Sequence, residues 1–326
     1  MKDWRYALAE NRATLLAFAV FLVMFAIYAG NHPAGFSANV VQTASNKGVL
    51  LALVAVAQTF VVITAGIDLS VGSVFVLANC LGSWIVVGAA WQAALGVLGV
   101  LLAGVACGAV NGLVVIVGRL QPIVTTIATG AVFFGLALLL RPSPGGDVYG
   151  PFADALTGRV FGVLPASLIA LAAVVIVLWI PYARSPIGRA AYAVGSSEQA
   201  SFMSGVPVER AKFWAYVLSG LSAALGGLFL TFVTYSGEAS AQTGGTYTLY
   251  SIAAVVLGGV SLYGGSGSAI GAIFGALMFR TIGDLLFVFN LDPLWQPLFQ
   301  GLVLLAAVSL GAARLFQVRN RLELFS

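Results

Sequence analysis

The chain has 326 residues, of which 60% are hydrophobic and only 8% are charged, and its formal net charge is +4. Soluble domains carry about 25% charged residues, so this composition excludes a soluble globular protein and indicates a membrane protein. The basic residues are scattered at the ends of apolar runs rather than clustered, which argues against a nucleic-acid surface. Cys80 and Cys107 lie inside apolar runs, where we expect buried thiols rather than a disulfide or a metal site.

Ten apolar runs are long enough, or nearly long enough, to cross a bilayer, which takes roughly 17–25 residues as a helix. They cover residues 14–29, 48–65, 71–90, 93–118, 122–140, 163–182, 213–233, 249–262, 269–289 and 294–313. The first run is long for a signal peptide and many runs follow it, so we expect an uncleaved helix. The sequence therefore predicts an all-α polytopic membrane protein of about ten transmembrane helices, forming one domain over residues 1–326.

The distribution of basic residues predicts the orientation of these helices. Ten spans place both termini on one face, and eleven of the Lys and Arg residues fall on that face against three on the other. The eleven are Lys2, Arg5, Arg12, Arg119, Arg184, Arg189, Arg210, Lys212, Arg314, Arg319 and Arg321; the three are Lys47, Arg141 and Arg159. By the positive-inside rule, both termini should be cytoplasmic.

A polar stretch at residues 66–73 interrupts the apolar sequence between the second and third runs. It contains Asp68 and Ser70 between glycines, and in lipid its backbone and carboxyl group need partners. Such a turn is tolerated where it is buried in protein or lines a water-filled path, so discontinuous helices near a substrate path are expected. Residues 259–266 match it at four of eight positions, which suggests an internal repeat as a hypothesis.

The chain lacks the usual signs of catalysis. It has no phosphate-binding loop motif and only one histidine, His32, so neither an ATP site nor a Ser/His/Asp set is expected. Arg280 and Asp284 lie four residues apart within the ninth run, where they can pair with each other. We therefore expect a transport subunit rather than an enzyme, with energy supplied by a partner.

The most charged internal segment, residues 184–212, has the pattern of a docking element between two spans. Ser197 is suited to an N-cap with Glu198 in the first turn, and Gly205 with Pro207 ends the helix. Phe202 and Met203 on so short a helix favour contact with a partner over a plain linker.

Four motifs together resemble the membrane permease subunits of bacterial ABC importers of the ribose/monosaccharide type, over nearly the whole chain. They are residues 64–73, residues 121–126, residues 188–205, and residues 252–259 with the glycine turn 264–267. Departures from the family pattern occur at Ser196–Ser197, at Thr248–Tyr250 and at Phe134–Gly135. These positions bear on substrate and pathway contacts rather than on the fold.

The resemblance implies the transmembrane subunit of an ATP-driven importer in the bacterial inner membrane, with a monosaccharide delivered by a periplasmic binding protein. It implies a second permease chain, identical or related, and an ABC ATPase subunit that holds ATP and Mg²⁺, so that no cofactor is expected in this chain. The binding protein would dock on the periplasmic loops 141–162 and 235–247. Alternatives are a permease for a nucleoside or branched-chain amino acid, an ion-coupled secondary transporter, or a channel.

The resemblance also assigns candidate residues to two sites. The cytoplasmic segment 184–212 would couple to the ATPase through Gly188, Arg189, Tyr192, Gly195, Glu198, Ala200 and Gly205. The substrate path is expected to include Asp68, Ser70, Asn79, Asn111, Thr125 and Thr126. For each path residue the alternative is a buried side chain bonded to a neighbouring helix. Asp68 and Ser70 are further expected to cap the start of the third helix.

Overall fold

The computed structural model describes residues 12–306 and residue 309, and nearly all regular structure in this part is helical. The helices are α1 (Arg12–Asn31), α2 (Ala38–Val62), α3 (Val71–Ile85), α4 (Ala90–Val117), α5 (Pro122–Leu140), α6 (Gly150–Thr157), α7 (Ala166–Arg184), α8 (Pro186–Ser196), α9 (Glu198–Met203), α10 (Val208–Thr234), α11 (Ala241–Leu257), α12 (Ala269–Val288) and α13 (Gln296–Ala306). Strands β1 (Arg159–Val160) and β2 (Leu164–Pro165) form a small antiparallel hairpin.

The ten predicted runs correspond to α1–α5, α7 and α10–α13. Within the described residues, seven of these helices are long and apolar enough to span a membrane by themselves: α1, α2, α4, α5, α7, α10 and α12. Helix α7 contains a π-helical turn at Val175–Trp179. The basic residues Lys2, Arg5, Arg314, Arg319 and Arg321, and residues 307, 308 and 310–313 of the tenth run, lie outside the described residues. An all-α polytopic fold is confirmed.

Helix α3 is too short to cross the bilayer because it begins inside the protein. Its 15 residues extend about 22 Å at 1.5 Å per residue, against a hydrocarbon core of about 30 Å. The chain reaches its start through the irregular segment 63–70, and Asp68 in that segment bonds to Ser219 near the middle of α10. The predicted discontinuity between the second and third helices is therefore present, deep in the helix bundle.

Two predicted loops are shorter than expected. Helix α2 begins at Ala38, ten residues before the predicted start, because its polar first turns find partners: Gln42 and Asn46 both donate to the carbonyl oxygen of Thr157, at 2.8 and 2.9 Å. Helix α11 begins at Ala241, so the predicted loop 235–247 is reduced to residues 235–240. The predicted loop 141–162 contains helix α6 and strand β1.

Small residues bring the helices close together. A Cβ atom on Gly108 of α4 would lie 2.2 Å from the carbonyl oxygen of Tyr216 on α10, and one on Gly275 of α12 would lie 2.1 Å from that of Ala254 on α11. On α10, a Cβ atom at Gly227 would lie 2.0 Å from the carbonyl oxygen of Phe75 on α3. Larger side chains are excluded at these crossings, so close helix packing accounts for the glycines.

The two glycine-containing turns lie against each other. The first joins α2 to α3 (residues 63–70), and the second joins α11 to α12 (residues 258–268). The backbone N–H of Gly265 in the second turn donates to the carbonyl oxygen of Ile63 in the first, at 3.0 Å. This side-by-side placement, each turn between an entering and a returning helix, agrees with the repeat hypothesis.

Candidate functional site

Asp68 is the centre of a buried hydrogen-bond cluster. One carboxyl oxygen accepts from the backbone N–H of Ser70 at 2.9 Å and from its hydroxyl at 2.6 Å. The other oxygen accepts from the hydroxyl of Ser219 at 3.1 Å. Asp68 is 2% exposed and both serines are fully buried. The carboxyl group thereby fixes the first turn against α10.

The cluster extends to two more helices. The amide of Asn111 on α4 donates to the Ser70 hydroxyl at 2.7 Å, which leaves the Ser70 hydrogen directed at Asp68. Thr129 on α5 donates in turn to the amide oxygen of Asn111. The chain of donors runs from α5 through α4 to the turn, so four elements meet at one polar centre. The hydrogen bonds of such a network polarise, and thereby strengthen, one another in a low-dielectric interior.

The side chains of the remaining path candidates make no hydrogen bond to the side chains of Asp68, Ser70 or Asn111. Thr126 on α5 accepts from the backbone N–H of Leu69 at 2.9 Å and holds the turn from its other side. Thr125 is buried, and its hydroxyl has no partner among the described residues. Asn79 lies about 13 Å from Ser70 along α3, where its amide donates to Thr231 and its oxygen accepts from the N–H of Glu238. Together, these contacts show that the six candidates do not converge on a single pocket.

The capping prediction for Ser70 is wrong in one respect. Ser70 occupies the N-cap position of α3, but its hydroxyl makes no bond to the first helical turn. That hydroxyl is instead committed to Asp68 and Asn111. The start of α3 is held by Thr248 on α11, whose hydroxyl accepts from the N–H of Gly72 at 3.1 Å.

The first turn presents different side chains on its two sides. Asp68 and Ser70 are buried, whereas Ile67 and Leu69 between them are partly exposed. This alternation is the one an extended segment produces. The polar side of the turn faces helices α4 and α10, and its accessible side is apolar.

The 184–212 segment forms two capped helices, α8 and α9. The hydroxyl of Ser185 accepts from the N–H of Gly188 at 3.0 Å, and that of Ser197 accepts from the N–H of Ala200 at 3.3 Å. Gly205 follows α9 with a φ of +75°, which suits glycine at a helix end. The predicted N-cap and the glycine stop are therefore confirmed.

The inner side of α8 contacts both turns. The hydroxyl of Tyr192 donates to the carbonyl oxygen of Gly267 at 2.7 Å. Burial raises the pKa of Tyr192 to about 12, so the phenol remains a donor at neutral pH. A Cβ atom on Gly195 would lie 1.9 Å from the carbonyl oxygen of Ile63 and 2.5 Å from the nitrogen of Gly265. Glycine is thus required where α8 meets both turns.

The outer side of the segment is accessible and partly apolar. Phe202 and Met203 on α9 are 75% and 80% exposed. Beside them is a cleft of about 650 Å³, bordered by the connection between α4 and α5 and by the start of α10. Glu198 on its edge pairs with Lys212 at 2.6 Å. Arg189, on α8, is exposed.

Sequence reasoning missed the partners of these residues. Ser219 and Thr248 hold Asp68 and Gly72 but are separated from them by 151 and 176 positions. A hydroxyl inside an apolar run was the only available signal, and many such residues bond to their own helix. The contact of Gly195 with Ile63 had no signal, since it joins two backbones.

Comparisons with known proteins agree on one family. The family model described as branched-chain amino acid transport system / permease component matches residues 40–308. The ribose import permease protein of Bacillus subtilis is 37% identical over 79% of this chain and 80% of its own length. A probable ABC transporter permease protein of Sinorhizobium fredii is 36% identical, covering 93% and 91%. The fructose import permease protein of Rhizobium meliloti is 32% identical, covering 91% and 83%.

No solved structure matches the chain significantly. The family match nevertheless spans most of the sequence, including both turns and the 184–212 segment. The helical architecture agrees with it, since the described residues contain seven helices suited to crossing a membrane. The chain belongs to this family of membrane transport permeases.

Proposed function

We propose that the chain is the transmembrane subunit of an ATP-driven importer that carries a monosaccharide. Family membership supports a transport subunit, and relatives named as ribose and fructose import permeases support a sugar as the cargo. The observation that carries the ATP-driven part is the 184–212 segment: it offers an apolar surface outside the helix bundle and contacts both turns inside it.

An ABC ATPase subunit would dock on α9. Phe202 and Met203 are so exposed that they contribute little to the packing of this chain itself. Apolar side chains beside a cleft are typical of the core of a protein interface. ATP and Mg²⁺ would be held by that partner, since this chain has no phosphate-binding loop. The face of the membrane bearing α8 and α9 would then be cytoplasmic, as its basic residues indicate.

Coupling would pass through the backbone contact at Gly195. At Gly195 the backbone of α8 lies directly against the backbones of Ile63 and Gly265, with no flexible side chain between them. A displacement of α8 by the ATPase would therefore move both residues. Tyr192 adds a hydrogen bond to the second turn. The two turns would therefore move with α8 as the permease alternates between outward-open and inward-open states.

The substrate path would run along the accessible side of the first turn. The buried polar cluster of Asp68, Ser70 and Asn111 would hold the turn in a fixed shape. Ile67 and Leu69 would face the path and close it to water. Path contacts for Thr125, Thr126 and Asn79 belong to the same proposal. Two permease chains, identical or related, would enclose the path between them.

A periplasmic binding protein would deliver the cargo on the opposite face, where helix α6 and residues 235–240 lie. Arg141, in the segment before α6, is anchored to α3 by donating to the hydroxyl and the carbonyl oxygen of Ser83, at 3.1 and 2.9 Å. An isolated bridge between Gly145 and Gly237 joins the two segments. This surface is therefore held firmly enough to receive a partner.

The cargo can be tested through the binding protein that stimulates this permease. The purified binding protein should be stabilised against thermal unfolding by a monosaccharide and should stimulate ATP hydrolysis by the reconstituted complex only when loaded with it. Stabilisation and stimulation by a nucleoside or a branched-chain amino acid instead would contradict a sugar cargo; the latter is the alternative that the family description favours.

A further inference from the structure

A cleft of about 450 Å³ opens on the membrane face opposite α8 and α9, between α1, α2, α12 and α13. Its charged side chains are Lys47 on α2 and Arg280 and Asp284 on α12, and Gln296 on α13 adds an amide; the neutral polar residues Tyr28, His32, Asn39 and Thr43 also line it. The transport proposal uses none of these side chains.

The charges in this cleft are not balanced. Lys47 and Arg280 both face the same carboxyl oxygen of Asp284, at 3.8 and 3.9 Å. These distances exceed hydrogen-bond range, and among the described residues neither cation donates a hydrogen bond to the protein. Two cations sharing one carboxylate leave a net positive charge, with donors available to an anion.

Two of the donors lie beside Gly283. A Cβ atom on this residue would lie 2.9 Å from the amide nitrogen of Gln296 and 3.1 Å from a terminal nitrogen of Arg280. The absence of a side chain at Gly283 thus leaves room beside it for the Gln296 amide and the Arg280 guanidinium, and Lys47 lies on the facing helix. Guanidinium and ammonium donors around one point are the usual means of binding phosphate.

The rim of the cleft is apolar and accessible. Phe287 and Leu291 line the cleft and are 65% and 44% exposed. Leu294 and Trp295, which precede Gln296 in the sequence, are 84% and 52% exposed. Tryptophan is enriched at the membrane–water interface, where its ring lies at headgroup level. An inorganic phosphate or a sugar makes no use of this rim, whereas acyl chains would lie along it. The combination of a cationic centre with an apolar border is that of a lipid site.

We propose that this cleft binds the phosphate of an anionic phospholipid, with its acyl chains along Phe287 and Leu291. Lys47, Arg280 and Gln296 hold the headgroup, and Asp284 competes with it for the two cations. The lipid then joins α13 to α12 and α2 at the end of the bundle away from the ATPase-docking face.

The proposal is tested with the full-length chain in detergent, titrated with dihexanoyl phosphatidylglycerol and followed by native mass spectrometry. Lys47→Gln and Arg280→Gln should each weaken binding about tenfold, the size of one charge-assisted hydrogen bond. Arg159→Gln is the matched control, because it removes an exposed positive charge from the same membrane face and should leave binding unchanged.

Asp284→Asn removes the shared carboxylate and should tighten lipid binding. A misfolded protein would not show such a gain, so this variant separates loss of the site from loss of the fold. Thermal unfolding of each variant checks the fold. Equal phosphatidylglycerol affinity in all variants would overturn the proposal, as would equally tight binding of dihexanoyl phosphatidylcholine. Displacement of the lipid by inorganic phosphate or ribose at matched concentration would overturn the lipid assignment.

Discussion

At the scale of single residues, the hydrogen bonds of Asp68 have a structural role, on which any role in transport depends. Its carboxyl group makes three hydrogen bonds, two to Ser70 and one to Ser219, within a fully buried site. An acid placed among apolar helices usually marks a functional site. Here it fixes the backbone of a broken helix, so that the apolar Ile67 and Leu69 occupy a defined position on the accessible side.

Replacement of Asp68 by Asn should destabilise the protein and abolish transport. The amide would turn an N–H₂ group toward either Ser70 or Ser219, each of which donates to Asp68 in the native structure. Loss of hydrogen bonds to a buried acidic group costs about 1.5–3 kcal/mol. Thermal unfolding in detergent should show a lower Tm, whereas the exposed Asp292→Asn control should unfold like the wild type. A Tm for Asp68→Asn equal to that of the control would show that the cluster is not structural.

At the scale of elements, α8 and α9 have distinct roles on their two sides. The exposed side of α9 carries Phe202 and Met203, and the inner side of α8 carries Tyr192 and Gly195 against the two turns. Short helices between spans gain little stability by themselves. Capping by Ser185 and Ser197 and contact with the turns make this pair of helices a rigid connection.

The contact at Gly195 should be necessary for coupling. In Gly195→Ala the new Cβ would meet the Ile63 carbonyl at 1.9 Å, so α8 must shift away from both turns. We expect ATP hydrolysis by the assembled complex to persist while uptake falls at least about tenfold, the change that 1.4 kcal/mol of lost transition-state stabilisation produces. Gly150→Ala is the control, because no atom lies within 4 Å of its added Cβ. Normal uptake per ATP hydrolysed in Gly195→Ala would disprove coupling at this contact.

The exposed side of α9 should determine ATPase affinity. Phe202→Ser with Met203→Ser removes two apolar side chains from the proposed interface core without touching the protein's own packing. Binding of the ATPase subunit, followed by co-purification or by biolayer interferometry, should weaken about a hundredfold, as expected for loss of two central apolar contacts. Phe161→Ser, which removes a side chain 96% exposed on the opposite face, should bind normally. Unchanged ATPase affinity in the double variant would place the docking surface elsewhere.

At the scale of the whole molecule, the helices were predictable because bilayer thickness fixes their length. Helix α5 begins at Pro122 as predicted, since proline suits a first helical turn. Helix α2 was predicted too short because Gln42, Asn46 and Lys47 resemble a loop until Thr157 and Asp284 are present to bind them. The meeting of Gly195 with Ile63 could not be predicted, since backbone contacts between distant segments leave no side-chain pattern.

The proposed orientation can be tested by cysteine labelling from each side of the membrane. Met203→Cys should react with a membrane-impermeant maleimide only after the cytoplasmic side is exposed, and Phe161→Cys should react in intact spheroplasts. The native Cys80 and Cys107 are buried, so the wild type should give little background. Labelling of residue 203 from outside would reverse the topology.

The most direct test of the account is cargo uptake into proteoliposomes that contain the permease, its ATPase and its binding protein. We predict that uptake of the monosaccharide requires ATP on the side of the membrane where the ATPase lies and stops when the ATPase is omitted. Ionophores that abolish proton and sodium gradients should not affect it. Uptake that survives without the ATPase but collapses with the ion gradient would identify a secondary transporter. Flux that needs neither would identify a channel, and either result would contradict the account.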